Sequence, residues 1–161
     1  MTTEPQRPFA PIIMGSASDL PHAREIAEAL SRLGIATELR VASAHKHPHY
    51  LLDLLARYEA DQRPRVYITI AGRSNALSGL VDAQVTAPVI ACPPVSQAFG
   101  GADIFSSLRM PSGVAPAVVL GPGNAALLAA KILGLRQAVA RVQQENREAI
   151  EAADQGVENY P

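Results

Sequence analysis

A short apolar run, a loop of small or polar residues, then a stretch with apolar residues three and four apart: this pattern returns along the chain at intervals of about 30 residues, and few folds accommodate it. Residues 9–14 are the first such run, ending at Gly15-Ser16-Ala17-Ser18-Asp19. Ala23, Ile26, Ala27, Leu30 and Leu33 then recur at the spacing of a helix with one buried face, and Gly34 supplies the stop. Residues 35–41 begin a second unit whose loop is Ser43-Ala44-His45-Lys46-His47-Pro48 and whose helix runs over about residues 48–60, with Pro48 where a first helical turn tolerates it. Residues 66–70 form a third strand, nearly all apolar as a strand covered on both faces should be. It ends at Ala71-Gly72-Arg73-Ser74-Asn75, before a weakly helical 76–83. Residues 89–91, ending at Cys92-Pro93-Pro94, and about 116–120, ending at Gly121-Pro122-Gly123-Asn124, are the fourth and fifth strands. Residues 125–133 close the series as a helix stopped by Gly134.

Strands alternating with helices imply right-handed crossovers and a parallel sheet with helices on both faces. The expected fold class is therefore α/β, a three-layer α/β/α arrangement over a five-stranded parallel sheet. One domain is expected over residues 1–161, with its core at about 9–135 and a C-terminal helical arm at about 136–154. That arm differs in kind, because Val139, Val142 and Ile150 make only a thin apolar stripe among charged residues. So little area gains little by packing on its own domain, at about 25 cal/mol per Å² buried. The arm is expected to lie on a neighbouring subunit of a homo-oligomer; a solvated, fraying helix is the alternative.

Composition removes several classes of function. A chain of 161 residues with 48% hydrophobic and 18% charged residues can bury a real core and is not a disordered segment. With a net charge of −1 and no basic run, it offers no nucleic-acid surface. No apolar run of about 18 residues is present to span a membrane. Residues 1–8 are short and polar and lack the apolar centre of a secretory signal. The single cysteine, Cys92, fits a reducing cytoplasm, the expected location.

In an open parallel sheet, ligands bind at the carboxyl ends of the strands, where all these loops fall. Gly15 to Asp19 leads into a helix N-terminus, which favours an anion; small residues admit a phosphate or ribose, the serines can donate, and Asp19 can accept from sugar hydroxyls. The same serines and aspartate are also ordinary helix caps. The loop is neither a P-loop nor a dinucleotide fingerprint. His45 suits general acid/base work near neutral pH, although loop histidines are commonly plain surface residues. His45, His47 and His49 alternate, but Pro48 turns the chain into a helix between them, and no cysteine or paired carboxylate lies nearby; no metal is expected. Cys92 reads as a small buried hydrophobe unless a histidine base lies beside it.

Taken in order, Gly15-Ser16-Ala17-Ser18-Asp19, Ser43-Ala44-His45-Lys46, Ala71-Gly72-Arg73-Ser74-Asn75 and Asn124-Ala125-Ala126-Leu127-Leu128-Ala129-Ala130 resemble the PurE family of purine biosynthesis over about residues 10–135. One branch of that family is a mutase moving a carboxylate from N5 to C4 of carboxyaminoimidazole ribonucleotide. The other, class II, carboxylates 5-aminoimidazole ribonucleotide (AIR) directly with CO2 to give 4-carboxy-AIR (CAIR). Lys46 in place of the mutases' arginine, Arg73-Ser74-Asn75 in a loop without their histidine, Cys92-Pro93-Pro94, and Ser106-Ser107-Leu108-Arg109-Met110-Pro111-Ser112-Gly113 are similar to the carboxylase branch. In animals that branch is joined to a second synthetase domain, for which 161 residues leave no room, so a free-standing carboxylase is expected.

The resemblance implies a flavodoxin-like sheet and an octamer with active sites between subunits, Ser107 to Gly113 lying near them. It assigns Ser16, Ser18 and Asp19 to the ribose phosphate, with Asp19 on the ribose hydroxyls. Ser43 and Lys46 contact the phosphate, His45 carries the proton, and Ala71, Gly72, Arg73, Ser74 and Asn75 border the CO2 pocket. His47 and His49 match no role. The aminoimidazole ring is electron-rich at C4 and attacks CO2 without an electrophilic cofactor, so no metal, biotin or nucleoside triphosphate is implied. Arg73 or backbone N–H groups near Gly72 suit the nascent carboxylate. Three rival readings stand beside this one: the mutase reaction, a catalytically silent ribonucleotide-binding module, and a metal-dependent hydrolase built on the alternating histidines.

Overall fold

The computed structural model describes residues 6–157; residues 1–5 of the polar N-terminal stretch lie outside them. Five parallel strands, β1 (Phe9–Met14), β2 (Ala36–Val41), β3 (Tyr67–Ile70), β4 (Val89–Ala91) and β5 (Ala117–Val118), form one sheet in the order β2-β1-β3-β4-β5. This is the flavodoxin-like order, and its connections reverse direction between β1 and β3. The helices are α1 (Leu20–Arg32), α2 (Pro48–Glu59), α3 (Ala76–Gln84), α4 (Phe105–Leu108), α5 (Pro122–Ile132) and α6 (Arg136–Gln155).

Each face of the sheet has its own apolar core. Ile12, Met14, Ile68, Ile70 and Ile90 point to α1 and α5, whereas Phe9, Ile13, Tyr67 and Val89 point to α2 and α3. All six residues of β1 are buried, as its central position requires. Helix α5 presents Ala125, Ala126, Ala129 and Ala130, all fully buried, and these small side chains let it lie close against α1.

Three readings of the sequence change. Val139 and Val142 of α6, with Ala138, pack against the α1/α5 core of their own chain, and Arg141 donates to the carbonyl of Arg32 at 2.8 Å. The thin stripe is thus used internally over the first half of the helix, because Leu133 and Leu135 extend the surface it lies on. Its distal half, including Ile150 at 69% exposure, touches none of that core. The second change is that residues 98–108, unassigned by periodicity, form a 3-10 segment (Ala98–Ile104) leading into α4. The fifth strand also shrinks to two residues, Ala117–Val118.

Candidate active site

The loops following β1, β2 and β3, together with residues 94, 96 and 103, enclose a cleft of about 540 Å³ at the carboxyl edge of the sheet. It sits at the switch point, where the chains leaving β1 and β3 diverge and leave room for a ligand.

The first loop is held by short-range bonds. Ser16 and Ser18 share a hydroxyl contact of 2.8 Å, and the Ser18 N–H donates to Ser16 Oγ at 3.3 Å, capping the 3-10 turn Ala17–Asp19. Asp19 occupies the N-cap position of α1, yet its carboxylate makes no capping hydrogen bond. Burial holds that carboxyl above its ordinary range, against the opposing pulls of His22 and the Ser16 backbone. Capping thus explains Ser16 and leaves the Asp19 carboxylate available at the cleft wall.

The second loop repeats the device. Ser43 Oγ accepts from the Lys46 N–H at 3.2 Å, and His47 Nδ1 accepts from the Tyr50 N–H at 3.4 Å as the cap of α2, with Pro48 in its first turn. His47 is therefore occupied in starting the helix. His45 and Lys46 are exposed on the cleft side, between the first and third loops. Among the described residues no three His, Cys, Asp or Glu side chains are arranged to hold a metal ion.

The third loop is built by long-range bonds. Arg73 has φ of 58°, a conformation uncommon outside glycine, and its N–H donates to Asp103 Oδ2 at 3.0 Å. Asn75, 5% exposed, donates through its backbone to Ser106 Oγ (3.0 Å) and through Nδ2 to Ser107 Oγ (2.8 Å). Its Oδ1 accepts from both the N–H and the hydroxyl of Ser78, and that hydroxyl lies 2.7 Å from Thr69 Oγ1. Thr69, Asn75, Ser78 and Ser107, all buried, thus satisfy one another, as burial demands.

The structure therefore brings Ser16, Ser18, Asp19, Ser43, His45, Lys46, Ala71, Gly72, Arg73 and Ser74 around one cleft. Asn75 and Ser107 lie behind its wall. Asn124 is elsewhere, at the start of α5 in a groove between α1, α5 and α6. Sequence reasoning missed Pro94, Ser96 and above all Asp103. Gly100-Gly101 signals a turn before Asp103, but nothing local ties that residue to Arg73, 30 positions earlier. Cys92 does have a histidine beside it, His22 Nε2 at 3.5 Å from Sγ and 3.1 Å from its carbonyl oxygen. It is nonetheless fully buried, and burial pushes its thiol up to about 11, so it is no nucleophile.

A model of the AIR carboxylase family matches residues 10–153. A phosphoribosylaminoimidazole carboxylase of Treponema denticola is 58% identical over 129 residues, covering 80% of this chain and 81% of that one. A protein of the same name from Archaeoglobus fulgidus is 52% identical over 151 residues, 91% of this chain and 83% of that one. The human bifunctional phosphoribosylaminoimidazole carboxylase/succinocarboxamide synthetase is 46% identical over 77% of this chain, which spans 29% of its length. The crystal structure of Treponema denticola PurE superposes with a TM-score of 0.93 at 49% identity, covering 95% of this chain and all of that one.

Proposed function

The chain belongs to the AIR carboxylase family, and from that premise we propose that it is a carboxy-lyase of purine biosynthesis that joins CO2 to C4 of AIR to give CAIR. The observation that carries the reading is the position of His45 on the same cleft as Ser16, Ser18, Ser43 and Lys46 on one side and the 71–74 loop on the other. A nucleotide gripped by its phosphate at the first group extends its ring toward the second, past the imidazole.

In this reading Lys46, Ser43, Ser16 and Ser18 hold the phosphate by charge-assisted and hydroxyl bonds, and Asp19 accepts from the ribose hydroxyls. C4 of the ring attacks the carbon of CO2, forming the C–C bond and leaving C4 tetrahedral with its hydrogen still attached. His45 takes that proton, the C–H electron pair restores ring aromaticity, and CAIR and a proton are the products. The reverse reaction runs through the same imidazolium, which protonates C4 and releases CO2. An imidazole serves both directions because its ordinary pKa, about 6.5, lies near working pH. The Arg73 N–H is committed to Asp103, so the Arg73 guanidinium and the Gly72 backbone are the groups left to hold the new carboxylate. Asn75 and Ser107 support the loop from behind. The scheme uses no cofactor.

The purified protein supplied with AIR and bicarbonate, without ATP, should form CAIR. A requirement for ATP and a separate N5-carboxylating synthetase would replace this reading with the mutase. The same proposal takes the chain as one domain with a helical arm, working in the cytoplasm as a homo-oligomer, an octamer in the family pattern. Support comes from the bare distal half of α6 and from Val95, Phe99, Phe105 and Leu108, each more than half exposed beside the cleft. Light scattering should give eight subunits.

A further inference from the structure

Arg73 and Asp103 face each other across 30 positions of sequence, and the bond between them is the least expected in the site. A residue with a side chain at φ of 58° stays there only when its surroundings hold it. Here the hold comes from one segment. Asp103 Oδ2 accepts the Arg73 N–H, while Ser106 Oγ accepts the Asn75 N–H at 3.0 Å and donates to the Asp103 carbonyl at 2.8 Å. A Cβ placed on Gly72 would sit 3.7 Å from the same Oδ2, so a single added carbon there would already touch this carboxylate. Asp103 also lines the cleft. An ionised carboxylate there repels a carboxylate forming on the ring, so direct contact with the product is the wrong use for it. Acting through the backbone of Arg73 is the use its hydrogen bond already displays.

We propose that Asp103 is the positioning residue for the reacting end of the cleft: by accepting the Arg73 N–H it fixes that residue in the left-handed conformation that directs the guanidinium to the nascent carboxylate. This rests on the carboxylase reading for the meaning of the reacting end, but the backbone effect stands apart from it. Residues 15–19 and 43–48, which grip the phosphate, share no bond with Asp103, so its removal separates turnover from nucleotide binding.

The test compares Asp103→Ala with Asp103→Asn, whose amide oxygen still accepts the Arg73 N–H. In the alanine variant kcat should fall about tenfold to a hundredfold, as expected for a misplaced reacting group. Its affinity for AIR, measured by calorimetry, should stay within about threefold. Amide hydrogen exchange over residues 71–77 should accelerate. The asparagine variant should recover most of kcat and the slow exchange. Asp103→Ser, polar but too short to reach the N–H, takes the alanine variant's place should that one not fold. Unchanged kcat or unchanged exchange in the alanine variant overturns the proposal. So does an asparagine variant with slow exchange but no recovered turnover, since charge and not positioning would then matter. If the parent protein forms no CAIR, the carboxylase reading fails, while the exchange comparison still decides whether Asp103 holds the loop.

Discussion

The two ends of the cleft are made by opposite means. At the phosphate end the side-chain bonds are local: Ser16 with Ser18, Ser43 with Lys46, and His47 with Tyr50, none spanning more than three residues. At the reacting end Arg73 reaches Asp103, and Asn75 reaches Ser106 and Ser107, across 30 to 32 residues. The first group is mostly exposed, whereas the second is anchored in the interior through Asn75 and Ser107, with Arg73 itself exposed. The difference teaches that a phosphate, with its large charge and many acceptors, needs only well-presented donors, whereas directing one new C–C bond calls for a wall with little freedom.

The widest departure between the ends should come from His45→Asn. It should lower kcat by about 10²–10⁴-fold, the usual worth of a positioned acid/base, while calorimetry finds AIR binding nearly intact. Appreciable residual turnover would remove His45 from proton transfer and leave the reacting end without its base. Lys46→Ala sharpens the contrast from the other side. Loss of a charged hydrogen bond of about 1.5–3 kcal/mol should raise the KM for AIR roughly tenfold to a hundredfold with little change in kcat; an equal fall in both would merge the two ends.

Stability should separate them as well. Ser78→Ala strands Thr69 Oγ1 in the interior and leaves Asn75 Oδ1 with the Ser78 N–H alone, and urea unfolding should show a loss of about 1–3 kcal/mol. Ser18→Ala at the exposed end should cost well under half of that. The smallest effect is expected at Asp19. Burial raises its folded-state pKa, so the ionised carboxylate opposes folding above the unfolded-state value of about 3.9, and that penalty fades as pH falls below it. Asp19→Asn should therefore melt roughly 1–2 °C higher at pH 7 and indistinguishably from the parent near pH 3, while binding AIR less well. A lower melting point at pH 7 would mean that this carboxylate stabilises the fold instead of being held there for a ligand.

The same contrast explains what could be read in advance. Strands, helices and the first two loops follow from short-range pattern: apolar runs, helical spacing, Ser16 and Pro48 at helix starts. Even there His47 was unrecognised as a cap, because imidazole seldom fills that position. The 98–108 segment escaped because Phe99, Gly100 and Gly101 all take positive φ and destroy any periodicity. Asp103 escaped because its partner is a backbone N–H, which leaves no mark on the sequence at position 73. That the first half of α6 packs on its own chain is not legible from Val139 and Val142 alone, because Leu133 and Leu135, outside the helix, supply the rest of that surface.

Cys92 is the only sulfhydryl in the chain, sealed beneath His22 and held in its protonated form. Thiol-directed oxidants and alkylating reagents do not reach it while the protein is native, so thiol oxidation should not limit storage without reducing agents. Any labelling that does occur counts molecules that have opened, giving each chain its own internal gauge of unfolding.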